Sequence, residues 1–406
     1  SRCRSGSIIC RRASITASLV TAVSVFSLLN SITSRMLAQR SPAGGILVLD
    51  DTSFPKKGTR SVGVQPQYCG ALGKVANCQV VVSAEYVADV PASPAPLHWP
   101  VSAQLFLPEP WATDPDRRAR AHVPADLSFH TKPQLALQLL DRARAWEVPF
   151  RFVVADAGYG DKPTFLAGLE ERQIPYVCAV ERNFGVRLPA EVQEAAQAEP
   201  VKRAGRGRPV LPRPAPLHRA DAVLAALPES AWQTIGWREG TKGQLAKQFA
   251  AVRAHRARGD PGWGEHGRSV KHPQIATGPE GWLLGERPLP GEEGDRKCSF
   301  STLPADTPLE RLVTLAHARW TIEQFYEDAK GECGLDDYQG RRWDGLHRHL
   351  ALAMLTSSFL TLQRHTASDS TDGGFPPLGA GAELSGHAPA GAGLAVPGSG
   401  AVGHRH

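Results

Sequence analysis

Three acids in this sequence stand where a divalent cation could use them. Asp50 follows the apolar run Ile46-Leu47-Val48-Leu49, Asp156 follows the run from Phe150 to Ala155, and Glu323 falls midway along a helical pattern. Carboxylates at the exits of buried strands, joined by a third from a helix laid over those exits, make a ligand set for hard cations such as Mg²⁺ or Mn²⁺. Two such ions, about 3.5–4 Å apart, activate an attacking oxygen and stabilise a leaving one in an in-line displacement at phosphorus. Arg319 lies four residues before Glu323 and Lys330 seven after it, so one helical stripe displays a cation, a carboxylate and a second cation. The carboxylate suits a metal and the cations suit phosphates. Taken singly, an acid after a strand reads more readily as a turn or capping residue, and Arg319 with Glu323 as a solvated ion pair. Their joint occurrence, in order and on the right kinds of element, points to phosphodiester chemistry.

The elements that must position these residues are legible in the periodicity. Ile46 to Leu49 reads as a buried strand, and Val62 to Tyr68 and Gln79 to Tyr86 as two more, separated by Gly70, Gly73 and Asn77, which predicts an antiparallel meander. A helix follows, capped by Thr131, with Pro133 in its first turn and Leu135, Leu139, Leu140 and Ala143 as its apolar stripe. Phe150 to Ala155 is a fourth strand, stopped by Asp156 and Gly158; Phe165 to Arg172 is a short helix and Pro175 to Val180 a fifth strand. The order β-β-β-α-β-α-β is that of the ribonuclease H-like fold. The expected class is therefore α/β: a ribonuclease H-like catalytic core, with a mixed five-stranded sheet and flanking helices, interrupted by an insertion between the second Asp and the Glu. Residues 45–183 supply the first part of that core. Residues 184–305, rich in Pro, Gly and Arg, read as the insertion. Residues 306–365 return as the C-terminal catalytic helices, with Leu309 to Lys330 as one helix whose apolar positions are Leu312, Val313, Leu315, Ala316, Trp320 and Phe325. Residues 366–406, nearly devoid of bulky apolar groups, read as a disordered tail.

Composition adds weaker constraints. The 406 residues are 42% hydrophobic, enough for a sizeable core, and 46 Lys and Arg against 40 Asp and Glu give a net charge of +6, a mild preference for a polyanionic partner. Seven cysteines form no CxxC pair or regular framework. Such a scattered, odd set reads as reduced cytosolic thiols, with neither a disulfide nor a zinc site expected. No charge occurs between Arg12 and Arg35, but Ser, Thr and Asn interrupt that stretch, so residues 1–44 read as an atypical or truncated N-terminal segment rather than a membrane anchor. The expected location is cytoplasmic and nucleoid-associated, with no membrane partner.

The stretches LDDTSFPKKGTRSVGVQPQYCG, VVADAGYGD, WREGTKG, LPADTPLERLV and HARWTIEQFYEDAKGECGLDDYQGR resemble successive blocks of the DDE endonuclease superfamily, in its bacterial insertion-sequence branch. The resemblance implies a DNA transposase that cleaves element ends and transfers strands to target DNA, using two Mg²⁺ or Mn²⁺ ions held by Asp50, Asp156 and Glu323. Arg319, Glu323 and Lys330 fit the Y-(2)-R-(3)-E-(6)-K signature of such transposases, with Ala316 where the Tyr would stand. Adjacent strand residues face opposite sides, so periodicity leaves the choice between Asp50 and Asp51 open, and the resemblance favours Asp50. Asp51, Asp161 and Glu327 are candidates to support the ligands, although Asp161 fits a helix cap equally well and Glu327 a partner for Lys330.

Contacts to DNA are expected from Lys56, Lys57 and Arg60 after the first strand, and from Arg319 and Lys330. Arg206-Gly207-Arg208-Pro209 resembles an AT-hook core but fits a solvated linker too. Trp237, Arg238 and Lys242, read as part of a Gly-containing loop, could stack on a distorted base and hold its phosphates, or Trp237 could pack in the core. His347 and His349 have a spacing that does not share a helix face, and no ligand role is expected. A homodimer is expected when two ends are synapsed. The alternatives are an inactive DNA-binding remnant of a transposase and another ribonuclease H-like nuclease.

Overall fold

The computed structural model describes residues 34–369, except 36, 40, 42–43, 90–96, 199–213, 241–242 and 264–274. Arg206, Arg208, Lys242, the uncharged N-terminal stretch up to residue 33 and the tail beyond residue 369 lie outside the described residues. The chain divides into a unit of residues 1–363, described below, and a unit of residues 364–406. Among the described residues no helix is long and apolar enough to cross a membrane.

Strand β1 (Gly45–Pro55) is the axis of the site. It pairs antiparallel with β3 (Lys74–Val87) on one side and parallel with β5 (Phe150–Ala155) on the other. Both of its faces are covered, which is why GILVL reads as a continuous apolar run rather than an alternation. Leu47 and Leu49 belong to one core cluster, while Ile46 and Val48 belong to another on the opposite face of the sheet. The first cluster also holds Leu135 and Leu139 of a helix and Phe165 and Leu166 of another; the second holds Leu312, Ile322, Phe325 and Leu346 of three C-terminal helices.

The strand order differs from a simple meander. β2 (Gln65–Cys69) is short and pairs only with the first residues of β3, while β4 (His98–Leu105) pairs with the remainder of β3. Val62 and Val64, expected in a strand, are buried in the loop before β2. β4 escaped the sequence reading because Pro100 argues against a strand interior; a register shift between Ala84 and Glu85, opposite Pro100, accommodates it. With β6 (Tyr176–Val180) beside β5, the five strands run β4-β3-β1-β5-β6, antiparallel on one side of β1 and parallel on the other.

Short helices α1 (Glu109–Ala112) and α2 (Pro115–Ala121) follow β4, and then α3 (Lys132–Ala145). Thr131 closes a capping box with Gln134 at the start of α3, as the sequence predicts. α4 (Ala157–Gly160) and α5 (Pro163–Glu171) connect β5 to β6. The Pro- and Gly-rich region is more ordered in strand content than its sequence pattern led one to expect. β7 (Gly185–Arg187), α6 (Pro189–Gln197), β8 (His218–Arg219), α7 (Ala220–Ala225), β9 (Gln233–Gly240), β10 (Gly243–Ala257), β11 (Thr277–Arg287) and β12 (Lys297–Ser301) succeed one another there. Its strands continue the same sheet outward from β6 through β12, β11 and β10, to make twelve strands among the described residues. Two arginines, Arg187 and Arg256, are fully buried among them. Charges at buried positions break the apolar alternation from which strands are read.

The expected single helix from Leu309 to Lys330 is two: α8 (Leu309–His317) and α9 (Trp320–Cys333). At the break the Thr321 hydroxyl donates to the Ala318 carbonyl at 2.8 Å, replacing an intrahelical bond. α9 stops at Gly334, whose φ of 61° suits a glycine cap. α10 (Trp343–Asp369) follows.

Candidate active site

The pairing of β1 with β5 decides what meets what. Leu49 is in register with Ala155 on the neighbouring parallel strand, so Asp50 and Asp156 are the next residues on two chains about 4.8 Å apart. Side-chain alternation then separates the acids. Ile46, Val48 and Val154 face the cluster under α9, and Asp50 and Asp156 continue that same parity; Asp51 continues the parity of Leu47 and Leu49, toward α3. The hydrogen bonds agree. Asp51 accepts from Lys132 Nζ at 3.0 Å and from the Tyr159 hydroxyl at 3.3 Å, whereas Asp50 accepts from Arg319 Nη1 at 2.9 Å. Asp156 caps α4, its carboxylate accepting from the Tyr159 amide.

Gly160 lets α4 lie this close to the sheet, because a Cβ there would stand 2.0 Å from the Ala179 carbonyl oxygen of β6. The turn that presents Asp156 therefore depends on a residue without a side chain.

The electrostatics are those of carboxylates held together out of water. Burial and the Asp156 charge push the Asp50 carboxyl up to about 7, against the pull of Arg319 and the Asp51 amide. Burial likewise raises Asp156, with Arg319 opposing and Asp51 adding to the rise. Arg319 answers this cluster. Burial disfavours its charge, but Asp50, Glu323 and Asp156 together hold its pKa above the ordinary value. Its Nη2 also meets Glu323 Oε1 at 2.5 Å, so the guanidinium spans from Asp50 on the strand to Glu323 on α9. Glu323 is 58% exposed. Among the described residues no three acid, histidine or cysteine side chains are already grouped to hold one metal ion; between Asp50 and Glu323 stands the guanidinium. The donor set nevertheless fits a hard divalent cation, since Asp50 and Asp156, both raised in pKa by burial and by a neighbouring acid, are relieved by a positive charge bound through oxygen.

Other residues expected at the site take varied positions. Lys330 is half-buried, its ammonium 6.0 Å from the ring centres of both Phe54 and Tyr326, and burial lowers its pKa. Lys57 and Arg60 are exposed. Lys56 is not free for phosphate: its ammonium donates to the Tyr338 carbonyl at 2.5 Å. Asp161 caps the end of α4 and accepts from the Glu181 amide at 2.9 Å, a backbone tie rather than a contact to Asp156. Glu327 is exposed on α9, one turn beyond Glu323. Trp237 and Arg238 lie on strand β9, not on a loop. One face of Trp237 stacks on His317 with centroids 4.0 Å apart, and the Arg238 guanidinium covers Trp320 at 3.9 Å. These two residues clamp the α8–α9 joint that carries Arg319. His347 and His349 hydrogen-bond the carbonyls of Trp343 and Gly334.

Three groups at the site were not anticipated. Lys132 places a cation in the first turn of α3, where the helix dipole disfavours one; that misplacement was the available signal that an acid, Asp51, awaits it. Tyr159 and Tyr326 are buried with their hydroxyls on Asp51 and on Ser83, at 3.3 and 2.5 Å. Each stands in the same short block as an acid, DAGYGD and EQFY, but nothing in spacing shows which way a ring turns.

Over 144 residues the chain is 28% identical to a probable transposase for insertion sequence element IS701 from Microchaete diplosiphon, a match covering 35% of this chain. The chain matches 33% of the length of that relative. Residues 23–244 match the family described as DDE superfamily endonuclease, a stretch that holds Asp50 and Asp156 and ends before Glu323. The chain, with two acids at the ends of adjacent parallel strands and more than half its length in that match, belongs to the DDE endonuclease superfamily.

Proposed function

We propose that this protein is a DNA transposase that cleaves DNA at the ends of its element and transfers the freed strands to target DNA. The observation that carries this reading is the pair Asp50 and Asp156 at the ends of adjacent parallel strands, across Arg319 from Glu323, with burial raising both carboxyls and a neighbouring acid adding to each. Asp50, Asp156 and Glu323 would hold two Mg²⁺ or Mn²⁺ ions. Bound there, the ions supply activation of an attacking oxygen and stabilisation of the leaving one.

The chain's own residues do the rest. Lys132 and Tyr159 keep Asp51 turned away from Asp50, so that the two acids do not share one role. Arg319, which bridges Asp50 and Glu323, would be free to bond phosphate oxygens where a bound cation took its place between those carboxylates. Lys57, Arg60 and Lys330 offer further phosphate contacts, as do Arg206, Arg208 and Lys242 in their segments. On this reading residues 45–183 and 306–365 form a ribonuclease H-like core and residues 184–305 an insertion built as an extension of its sheet. Two ends must be brought together, so the working form is a homodimer, acting on DNA in the cytoplasm.

The test is nicking of DNA that carries the element's own ends, by purified protein with Mg²⁺ or Mn²⁺. Wild type is expected to nick at those ends, and Asp156→Asn to reduce nicking by at least about a hundredfold while thermal unfolding stays cooperative. Binding without metal-dependent cleavage identifies an inactive remnant. Cleavage of branched junctions regardless of sequence identifies another nuclease of the same fold.

A further inference from the structure

The hairpin formed by β2 and β3 leaves its largest apolar side chains in solvent. Tyr68 is 64% exposed and Val75 69%, and they face each other across the two strands; Leu72, in the connecting turn, is 47% exposed. Lys74, opposite Cys69 in the hairpin, is exposed, and so are Lys57 and Arg60 in the segment before it. From Thr52 through Ala84 the chain carries four cations, Lys56, Lys57, Arg60 and Lys74, and no acid at all. The charges of Asp336 and Asp337 reach this stretch at Lys56.

The hairpin is also held beside the acidic cluster. The Ser53 hydroxyl oxygen accepts from the Ala71 amide in the turn at 3.0 Å and from the Cys69 thiol at 3.3 Å. Ser53 is three residues along β1 from Asp50, about 10 Å at the rise of a strand.

Resting on the reading that this chain acts on DNA, we infer that the β2–β3 hairpin is a DNA-contacting wedge, in which Tyr68, Leu72 and Val75 pack against unstacked bases while Lys57, Arg60 and Lys74 hold the flanking phosphates. An aromatic and two aliphatic groups exposed on a stretch that carries cations and no acid complement a nucleic acid whose bases are opened beside its backbone. A second copy of the chain is the poorer occupant. A two-fold contact would set this acid-free stretch against itself, cation to cation.

The experiment uses the full chain in EDTA, so that no cleavage intervenes, and short duplexes of arbitrary sequence carrying 2-aminopurine, one fully paired and one with a mismatch. Wild type is expected to bind the mismatched duplex more tightly and to raise its fluorescence. Tyr68→Ala with Val75→Ser is expected to weaken binding to the mismatched duplex about tenfold and to abolish the fluorescence rise, without changing the melting temperature. Tyr68→Trp should restore both. Replacing Lys57, Arg60 and Lys74 with Ala is expected to weaken both duplexes alike and flatten the salt dependence. The inference is overturned if the apolar double variant binds and brightens both probes as wild type does, or if it changes only the sedimentation state, which would make the hairpin a protein interface. Wild type that binds neither probe overturns the functional reading and this inference together; wild type that binds while every hairpin variant matches it overturns this inference alone.

Discussion

Asp50 carries the chemical argument because of what surrounds it. Its carboxyl is 8% exposed as a residue and is pushed up to about 7 by burial and by Asp156. A buried charge next to a like charge is a liability to the folded state that a bound cation removes. Arg319 Nη1 and the Asp51 amide bond separate oxygens of Asp50, so Asp50→Asn keeps an acceptor for one of them and deletes the repulsion. At about pH 8 in EDTA this variant is expected to be more stable than wild type by about 1–3 kcal/mol. Adding Mn²⁺ should raise the melting temperature of wild type and leave the variant unmoved. Differential scanning calorimetry with and without Mn²⁺ checks both; a variant that is less stable in EDTA and still responds to Mn²⁺ would remove Asp50 from the site.

At the scale of elements, the site depends on how short pieces are seated. α4 presents Asp156 only because Gly160 clears the Ala179 carbonyl, and Gly160→Ala is expected to cost about 1–3 kcal/mol in urea denaturation, since the obstructing atom is backbone that must move. The α8–α9 joint that carries Arg319 is fastened from β9, β10 and β11. Glu286 of β11 takes a hydrogen bond from Lys247 and lies 3.3 Å from His317 Nε2. Burial pushes the Glu286 carboxyl up, but His317 and Lys247 outweigh it and hold the pKa at about 2. A carboxyl whose folded pKa is below its unfolded value of 4.5 stabilises the fold above that value and loses this contribution as pH falls toward 2. Glu286→Gln is therefore expected to destabilise the protein by about 1–3 kcal/mol near pH 6 and by progressively less as the pH falls toward about 3, measured by urea unfolding at each pH.

At the scale of the whole molecule, the outer strands and the first part of the sheet are tied by a buried ion pair. Arg256 of β10, almost wholly buried, meets Glu170 of α5 through two nitrogens at 2.5 and 2.7 Å, and the Tyr176 hydroxyl joins at 3.1 Å. Removing one partner strands the other's charge. Arg256→Ala is expected to cost about 3–5 kcal/mol, and pairing it with Glu170→Ala to recover part of that loss. A double-mutant cycle in urea measures the coupling, and simple additivity of the two losses would show that the pair does not join these regions energetically.

The sequence by itself determined the local chemistry and the regular pieces. β5 runs over the residues its pattern marked, α3 starts at the cap its Thr131 announced, and the acids ending β1 and β5 stood out because an apolar run that stops in a carboxylate is informative without any partner. Tertiary structure alone decided what those pieces meet. The parallel register of β1 with β5 put Asp50 beside Asp156 and turned Asp51 toward Lys132, a result of hydrogen bonding between strands about a hundred residues apart. It also joined the arginine-bearing strands to the sheet, broke the last long helical pattern at Ala318, and gave Trp237 to His317. Periodicity reports which face of an element is buried, because that depends on near neighbours in the chain. It carries no information on which buried faces come together, because that is set by packing and by charges neutralised across long stretches of sequence.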